Sequence, residues 1–144
     1  MMTGVVALDH LLLAMPCGKE AEARAFYGEL LGCREGRSSH DWVDFDFFGH
    51  QIVAHLTASG PENKAHNVVD GEEVPVRHFG VILTVPKWKE LAENLQAHGV
   101  NFIIEPQIRF AGTSGEQATF FLNDPSGNAL EFKAFADEDM IFAK

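Results

Sequence analysis

Basic residues are scarce in this sequence. Its 144 residues include 11 lysines and arginines against 21 aspartates and glutamates, which gives a formal net charge of −10. A nucleic-acid backbone or an anionic membrane surface is bound by clustered positive charge, so we expect neither as a partner. An acidic small molecule could still be bound in a local basic pocket.

Cysteines and long apolar runs are also few. Cys17 and Cys33 do not form a Cys-x-x-Cys pair, and we predict two reduced thiols in a cytoplasmic protein. No stretch reaches the roughly 20 apolar residues that cross a membrane, and the N-terminus lacks the basic region of a signal peptide. A single domain over 1–144 can bury enough surface to fold without a metal ion, so a bound metal would serve chemistry.

The pattern of apolar residues occurs twice along the chain. The halves begin with apolar stretches, Val5–Met15 and Val76–Val85, that a proline ends. Apolar residues at helical spacing follow in each half, up to Gly32 and Gly99, which are natural C-terminal helix caps. Strand-like segments complete both halves. The sequence therefore predicts the same β-α-β-β-β order twice.

An α+β fold of two tandem βαβββ units is the interpretation that this repeat supports. We place the units at about 5–57 and 76–135, joined by a polar linker at 58–75 that is long enough to act as a lid. We expect the two units to form a curled mixed sheet around a metal site, whose ligands are considered next.

Histidine and glutamate stand in corresponding strands of the two units. His10 and His78 lie in the first strands, and His55 and Glu131 lie in the last strands. Imidazole and carboxylate are ligands that divalent transition metals take in proteins. If the first and last strands share one concave face, the four side chains converge. The sequence predicts His10, His78 and Glu131 as metal ligands, with His55 as a fourth.

Each candidate ligand has an ordinary alternative. A lone histidine in an apolar strand is more often a hydrogen-bonded core residue, and a glutamate in an alternating strand often faces solvent. Burying such groups without partners costs several kcal/mol. Because the four residues occupy corresponding strands, we favour the metal site over four separate explanations.

These motifs together resemble the vicinal oxygen chelate superfamily, which includes glyoxalase I, extradiol dioxygenases and the bleomycin- and fosfomycin-resistance proteins. The resemblance covers Ala7 to about Phe135 and is greatest to small extradiol-type dioxygenases. The residues that carry it are Asp9–His10, Arg24–Tyr27, Leu30–Gly32, His78, Asp124–Asn128 and Leu130–Phe132.

The resemblance implies a divalent metal cofactor, Fe²⁺ for an extradiol enzyme and Ni²⁺, Zn²⁺ or Mn²⁺ for other members. His10, His78 and Glu131 match the extradiol ligand set, and His55 falls where glyoxalases have a fourth ligand. Catalytic proton transfer would involve Glu131, His55 or His50, of which His50 is an approximate match to the extradiol acid–base histidine.

Aromatic residues and one arginine are candidates for binding the substrate. Phe48, Phe79, Phe110 and Phe121 could wall an apolar pocket, and Arg109 could neutralise a substrate carboxylate. The ordinary alternative is that most of the 12 phenylalanines belong to the core and that an arginine is exposed. At Phe121, extradiol enzymes that resemble this chain carry a tyrosine.

Three functions are compatible with such a site. The first is an extradiol-type dioxygenase acting on a small catecholic or related oxygen-chelating substrate. The second is a glyoxalase-like lyase or isomerase, in which the metal polarises a carbonyl while Glu131 or His55 moves a proton. The third, which the retained ligand positions make least favoured, is a non-enzymatic small-molecule-binding protein of the drug-resistance kind. A homodimer is expected, since the sheet edges need covering.

Overall fold

Two separate four-stranded sheets form the framework of the protein. A computed structural model describes residues 11–58, 65–69 and 71–143. The chain divides into two compact units, Met1–Pro61 and Glu62–Lys144, and each unit contains one of the two sheets.

The sheet of unit 1 has the order β1-β4-β3-β2. Its strands are β1 (Leu12–Cys17), β2 (Arg34–Ser38), β3 (Trp42–Phe47) and β4 (His50–Leu56). β1 is parallel to β4, and the other neighbours are antiparallel. The first and last strands of the unit therefore lie side by side.

A helix between β1 and β2 covers one face of this sheet. α1 (Glu20–Ala23) continues as a π-helical segment, Arg24–Leu30, whose last turn is closed by the Leu31 N–H donating to the Phe26 carbonyl. The buried ring of Tyr27 lies 5.4 Å from the ring centroid of Phe45 in β3. This contact belongs to the apolar core of the unit.

Unit 2 begins with a hairpin of β5 (His66–Val69) and β6 (Glu72–Pro75) and continues with a second helix and sheet. The further elements are β7 (Phe79–Ile82), α2 (Val85–Ala97), β8 (Phe102–Arg109), β9 (Gln117–Asn123), β10 (Ala129–Phe135) and a 3-10 turn, Glu138–Met140. The sheet order is β7-β10-β9-β8, with β7 parallel to β10.

Helix α2 packs on one face of the second sheet. The indole Nε1 of Trp88 donates a hydrogen bond of 2.9 Å to the backbone carbonyl of Phe132. The rings of Phe120 and Phe132, on adjacent strands, stack with centroids 5.3 Å apart. Because side chains alternate along a strand, residues between these core positions, such as Phe121 and Glu131, face away from α2.

After the β5–β6 hairpin, unit 2 repeats the strand–helix–three-strand order of unit 1 and the same sheet order, which confirms the predicted pair of βαβββ units in an α+β fold. The segment predicted as a polar linker at 58–75 contains the β5–β6 hairpin. Cys17 and Cys33 are buried and form no disulfide, and burial together with the charge of Asp46 raises the pKa of Cys33 to about 12. Across the described segments, every helix is too short or too polar to cross a membrane.

Candidate metal site

His78 and Glu131 lie side by side in unit 2. The parallel pairing of β7 with β10 sets Glu131 opposite Gly80, two residues after His78. The Nε2 atom of His78 is 3.1 Å from Oε2 of Glu131, and the two side chains are 30% and 13% exposed. The structure thus brings together two of the predicted ligands, at a place that solvent can still reach.

Neighbouring groups fix the orientation of both side chains. Nδ1 of His78 lies 2.6 Å from the carbonyl oxygen of Pro75, so it carries a proton and donates, which leaves Nε2 as the ligand atom. The hydroxyl of Thr119 donates a 2.7 Å hydrogen bond to Oε1 of Glu131. Hydrogen bonds of this kind hold and orient metal ligands in proteins.

The pKa values of the pair move apart because each group stabilises the charge of the other. The hydrogen bond to Glu131 raises the pKa of His78, with a further contribution from the Pro75 carbonyl, against the opposing effect of burial. Burial alone would raise the pKa of Glu131, but the hydrogen bonds from His78 and Thr119 and the charge of Lys133 lower it. In the absence of a metal, both shifts favour the imidazolium–carboxylate form of the pair.

The separation of the two atoms fits two ligands of one divalent ion. Ligands at about 2.1 Å from a metal, with angles between about 90° and 109°, stand about 3.0–3.4 Å apart, and the observed distance is 3.1 Å. Within the described segments no three His, Cys, Asp or Glu side chains form a cluster. His10, the third predicted ligand, lies outside the described residues.

A pocket of ≈ 290 Å³ adjoins the pair, and its lining includes Phe79, Ile82 and Lys133. Phe79 lies opposite Leu130, so alternation directs its side chain to the α2 face, and its role in substrate binding stays a prediction. Lys133 was not anticipated, although it lies two residues after Glu131 in the same strand, and alternation places such residues on one face. Its Nζ is 3.5 Å from Oε1 of Glu131.

Phe121 and Arg109 lie on the same face of the sheet as Glu131, outside the pocket. The rings of Phe121 and His78 make an edge contact with centroids 5.0 Å apart. The guanidinium carbon of Arg109 lies 5.7 Å from the Phe121 centroid. Arg109 is only 5% exposed, so the ordinary alternative of an exposed arginine is wrong.

The other two candidate phenylalanines have a different setting. Phe48 and Phe110 are 38% and 42% exposed, and both have a positive φ, at 53° and 54°. Phe48 is in unit 1, where it lines a different pocket together with Cys33 and Asp46. Neither residue lines the pocket beside Glu131, and their role in substrate binding stays a prediction.

The strand register of unit 1 corrects the expected correspondence between His55 and Glu131. Gln51 lies opposite Leu12, which is two residues after His10, just as Glu131 lies opposite Gly80. His55 is four residues further along the same face, about 13 Å away. The turn between β3 and β4 has two residues, and the turn between β9 and β10 has five. Because of this difference, equal spacing along the sequence does not identify equivalent positions in β4 and β10.

Gln51 therefore occupies the position in unit 1 that Glu131 occupies in unit 2. Its side-chain nitrogen donates a 3.1 Å hydrogen bond to Asp44, which leaves the amide oxygen for other partners. His50 has a backbone contact, because its Nδ1 accepts the N–H of Leu11 at 3.0 Å. The catalytic roles of His50 and His55 stay predictions.

Sequence comparison places the chain in a family. The sequence model of the Glyoxalase/Bleomycin resistance protein/Dioxygenase superfamily matches residues 7–132, and the chain belongs to this superfamily. This confirms the resemblance at the level of the superfamily, which contains several different activities. Among curated proteins no match was found.

Solved structures extend the comparison over nearly the whole chain. A glyoxalase/bleomycin resistance protein/dioxygenase from Alicyclobacillus acidocaldarius is 35% identical, with a TM-score of 0.77 and 94% of this chain and 97% of that chain covered. The fosfomycin resistance protein FosX from Listeria monocytogenes is 17% identical, with a TM-score of 0.65 and coverages of 96% and 98%. Lactoylglutathione lyase from Agrobacterium tumefaciens is 14% identical, with a TM-score of 0.60 and coverages of 92% and 96%. The last two show the fold alone.

Gly80 permits the close approach of β7 to β10, since a Cβ at this position would overlap the backbone carbonyl of Glu131. We expect Gly80→Ala to displace Glu131 and to lower the free energy of unfolding by about 1–3 kcal/mol, as overpacking does. Urea denaturation measures this loss. Gly18→Ala is the control, because a Cβ there meets nothing within 4 Å. Equal stability of the two variants would contradict the requirement for glycine at position 80.

The ion pair predicts a pH-dependent stability of the metal-free protein. The raised pKa of His78 stabilises the fold below pH 6.5, and this contribution is lost as the pH rises through the raised value. The lowered pKa of Glu131 stabilises the fold above pH 4.5 and is lost as the pH falls through the lowered value. Both contributions are therefore present between these two pH values.

We expect His78→Asn to lose more unfolding free energy relative to the wild type at about pH 5.5 than at about pH 9. Urea denaturation in the presence of a chelator measures both differences. His40→Asn, at a side chain that is 91% exposed, corrects for the replacement of a histidine as such. A pH-independent difference for His78→Asn would show that the ion pair does not contribute to stability.

Proposed function

We propose that this protein is a divalent-metal-dependent enzyme that acts on a small oxygen-chelating substrate, with extradiol-type ring cleavage as the first candidate reaction. The ion would be held by His78 and Glu131 together with His10, which is two residues before Leu12 in the sequence as His78 is two residues before Gly80. The observation that carries the proposal is the 3.1 Å separation of Nε2 of His78 and Oε2 of Glu131.

Three further features support a metal site over a structural ion pair. The Nδ1–H of His78 is directed to a backbone carbonyl, and Glu131 is held by Thr119, so both ligand atoms are oriented in advance. The pair lines a pocket instead of filling the core. A purely structural pair would gain nothing from a free space beside it.

When bound, the ion would supply Lewis acidity and open coordination positions for two adjacent substrate oxygens. The protein's part is to bind and to orient. Ile82 gives the pocket an apolar wall, and Phe121 forms an apolar contact with the imidazole of His78. Lys133, now paired with Glu131, is close enough to donate a hydrogen bond to a negatively charged substrate oxygen.

A glyoxalase-like lyase or isomerase is the second candidate, and the residue paired with Glu131 favours it. In such a reaction the metal would polarise a carbonyl while a carboxylate such as Glu131 moves a proton. The residue paired with Glu131 is Phe121. Phe121 has no hydroxyl with which to assist ring cleavage.

Metal content tests the proposal. We expect protein purified without oxygen to hold about one divalent ion per chain, and His10→Ala, His78→Ala and Glu131→Ala to lose it. His98→Ala is the matched control, because His98 is exposed at the end of α2 and bonds to the Asn94 carbonyl. Elemental analysis by plasma mass spectrometry gives both the amount and the identity of the metal.

The identity of the ion separates the candidate reactions. Iron, with oxygen uptake on adding catechols, would support the dioxygenase, whereas nickel or zinc without oxygen uptake would support the lyase. Retention of metal by His78→Ala and Glu131→Ala, or failure of the wild type to bind any divalent ion on titration, would refute the enzyme and leave a small-molecule-binding protein.

A further inference from the structure

The guanidinium group of Arg109 is buried, and two of its nitrogens have no hydrogen-bond partner among the described residues. Arg109 ends β8 and is 5% exposed. Its Nε and Nη2 atoms have no partner in the part of the chain that the structure describes. A buried charge without a partner is unfavourable, and buried arginines are normally paired. Unpaired buried donors therefore indicate a missing partner.

The arginine lies on the face of the sheet that carries the candidate metal site. Arg109 is opposite Gln117, and Gln117 is opposite Phe135. Residues directly opposite in antiparallel strands share a face, and Phe135 shares its face with Glu131 because the two are four residues apart in one strand. A single side chain, Phe121, touches both the guanidinium of Arg109 and the imidazole of His78.

The two unpaired nitrogens are the pair that can bind one carboxylate. The N–H of Nε and the outer N–H of Nη2 run parallel along one edge of the planar guanidinium group. This edge matches the two oxygens of a carboxylate, so both donors can be satisfied at once by a single group.

The charges on this face favour an anion. The paired residues of the face include the cations Lys133 and Arg109 and the anion Glu131, a net positive set in a chain whose formal charge is −10. Bound metal would add two further positive charges. One buried guanidinium balances one negative charge, so a monoanion fits better than a dianion.

Apolar side chains pack around Phe121, the residue whose ring contacts Arg109. Val74 of β6, Ile104 of β8 and Phe121 form a buried cluster, which strengthens an ion pair by excluding water and offers contact to an apolar ligand body. Because Nε and Nη2 are shielded from solvent, we expect neighbouring side chains to move when a ligand reaches them.

We propose that Arg109 forms a carboxylate-binding subsite, so that the substrate is a small apolar or aromatic molecule carrying a carboxylate. Its carboxylate binds Nε and Nη2 of Arg109 while its oxygen pair faces His78 and Glu131. The second half of this statement rests on the proposed metal-dependent function. The carboxylate subsite itself requires no metal, which allows the two to be tested separately.

Benzoate and its neutral isostere benzamide are suitable probes of the subsite. Calorimetric titration of the metal-free protein should give benzoate at least tenfold tighter binding than benzamide. Arg109→Met, which keeps the length of the side chain and removes the charge, should abolish this preference without changing the affinity for benzamide. Arg109→Lys should retain part of the preference for benzoate. Arg37 is exposed, and Arg37→Met should retain all of the preference.

A second measurement does not depend on any variant that could fail to fold. In ¹H–¹⁵N spectra of the wild type, benzoate should shift the Nε–H resonance of Arg109 downfield and slow its exchange with solvent, and benzamide should not. Equal binding of the two probes by the wild type, preference that survives in folded Arg109→Met, or an unmoved Nε–H resonance would overturn the proposal.

Divalent-metal titration of the same variants separates this inference from the proposed function. Arg109→Met should bind metal as the wild type does, because the guanidinium does not touch the ligand atoms. An Arg109-dependent preference for benzoate in a protein that binds no metal would support the carboxylate-binding subsite and contradict the metal-dependent function. Normal metal binding without this preference would support the metal site and contradict the carboxylate-binding subsite.

Discussion

The parallel pairing of the first and last strands in each unit is the constraint on which the candidate site depends. In unit 2 it sets β10 against β7 with Glu131 opposite Gly80, and this register alone brings the carboxylate to His78. The same pairing in unit 1 sets Gln51 opposite Leu12. Because side chains alternate strictly along a strand, a slip of one residue would turn Glu131 into the core against α2.

Packing on the helix side makes that register stable. Trp88 of α2 donates to the carbonyl of Phe132, the residue after Glu131, and the ring of Phe132 stacks on Phe120. The side chains between these core residues are forced to the opposite face, where they meet a pocket instead of a helix. The fold thus determines which face of the sheet can hold a polar site, and the sequence places Lys133, Arg109 and Glu131 on that face.

Much of this arrangement could be predicted from the sequence, because it follows from short-range periodicity. The repeated apolar pattern gives two βαβββ units, and the predicted positions of His78 and Glu131 in the first and last strands of one unit give their proximity, although His78 immediately precedes β7. Gln51 could not be found by counting, since the turns before β4 and β10 differ in length. Turn length is not encoded in strand periodicity, although Phe48-Gly49 and Asp124–Asn128 could have indicated the difference.

Burial was the second property that the sequence did not reveal. Nothing near Arg109 in the sequence distinguishes it from an exposed arginine, and only the ladder from β8 through β9 to β10 shows that it shares a face with Glu131. The position of Lys133 is easier to predict, because it is two residues after Glu131 in the same strand and therefore shares its face. The positive character of this face is thus a property of the sheet, whereas the whole chain is strongly acidic.

Coordination by Nε2 of His78 can be measured directly in protein loaded with Co²⁺. A histidine bound through Nε2 keeps a proton on Nδ1, and the bond from Nδ1 to the Pro75 carbonyl should protect that proton from rapid exchange with water. The ¹H NMR spectrum should then contain a strongly shifted signal that disappears in D₂O and is missing from His78→Ala. A Co²⁺-loaded protein whose shifted signals are unchanged in His78→Ala would contradict a metal site at His78 and Glu131.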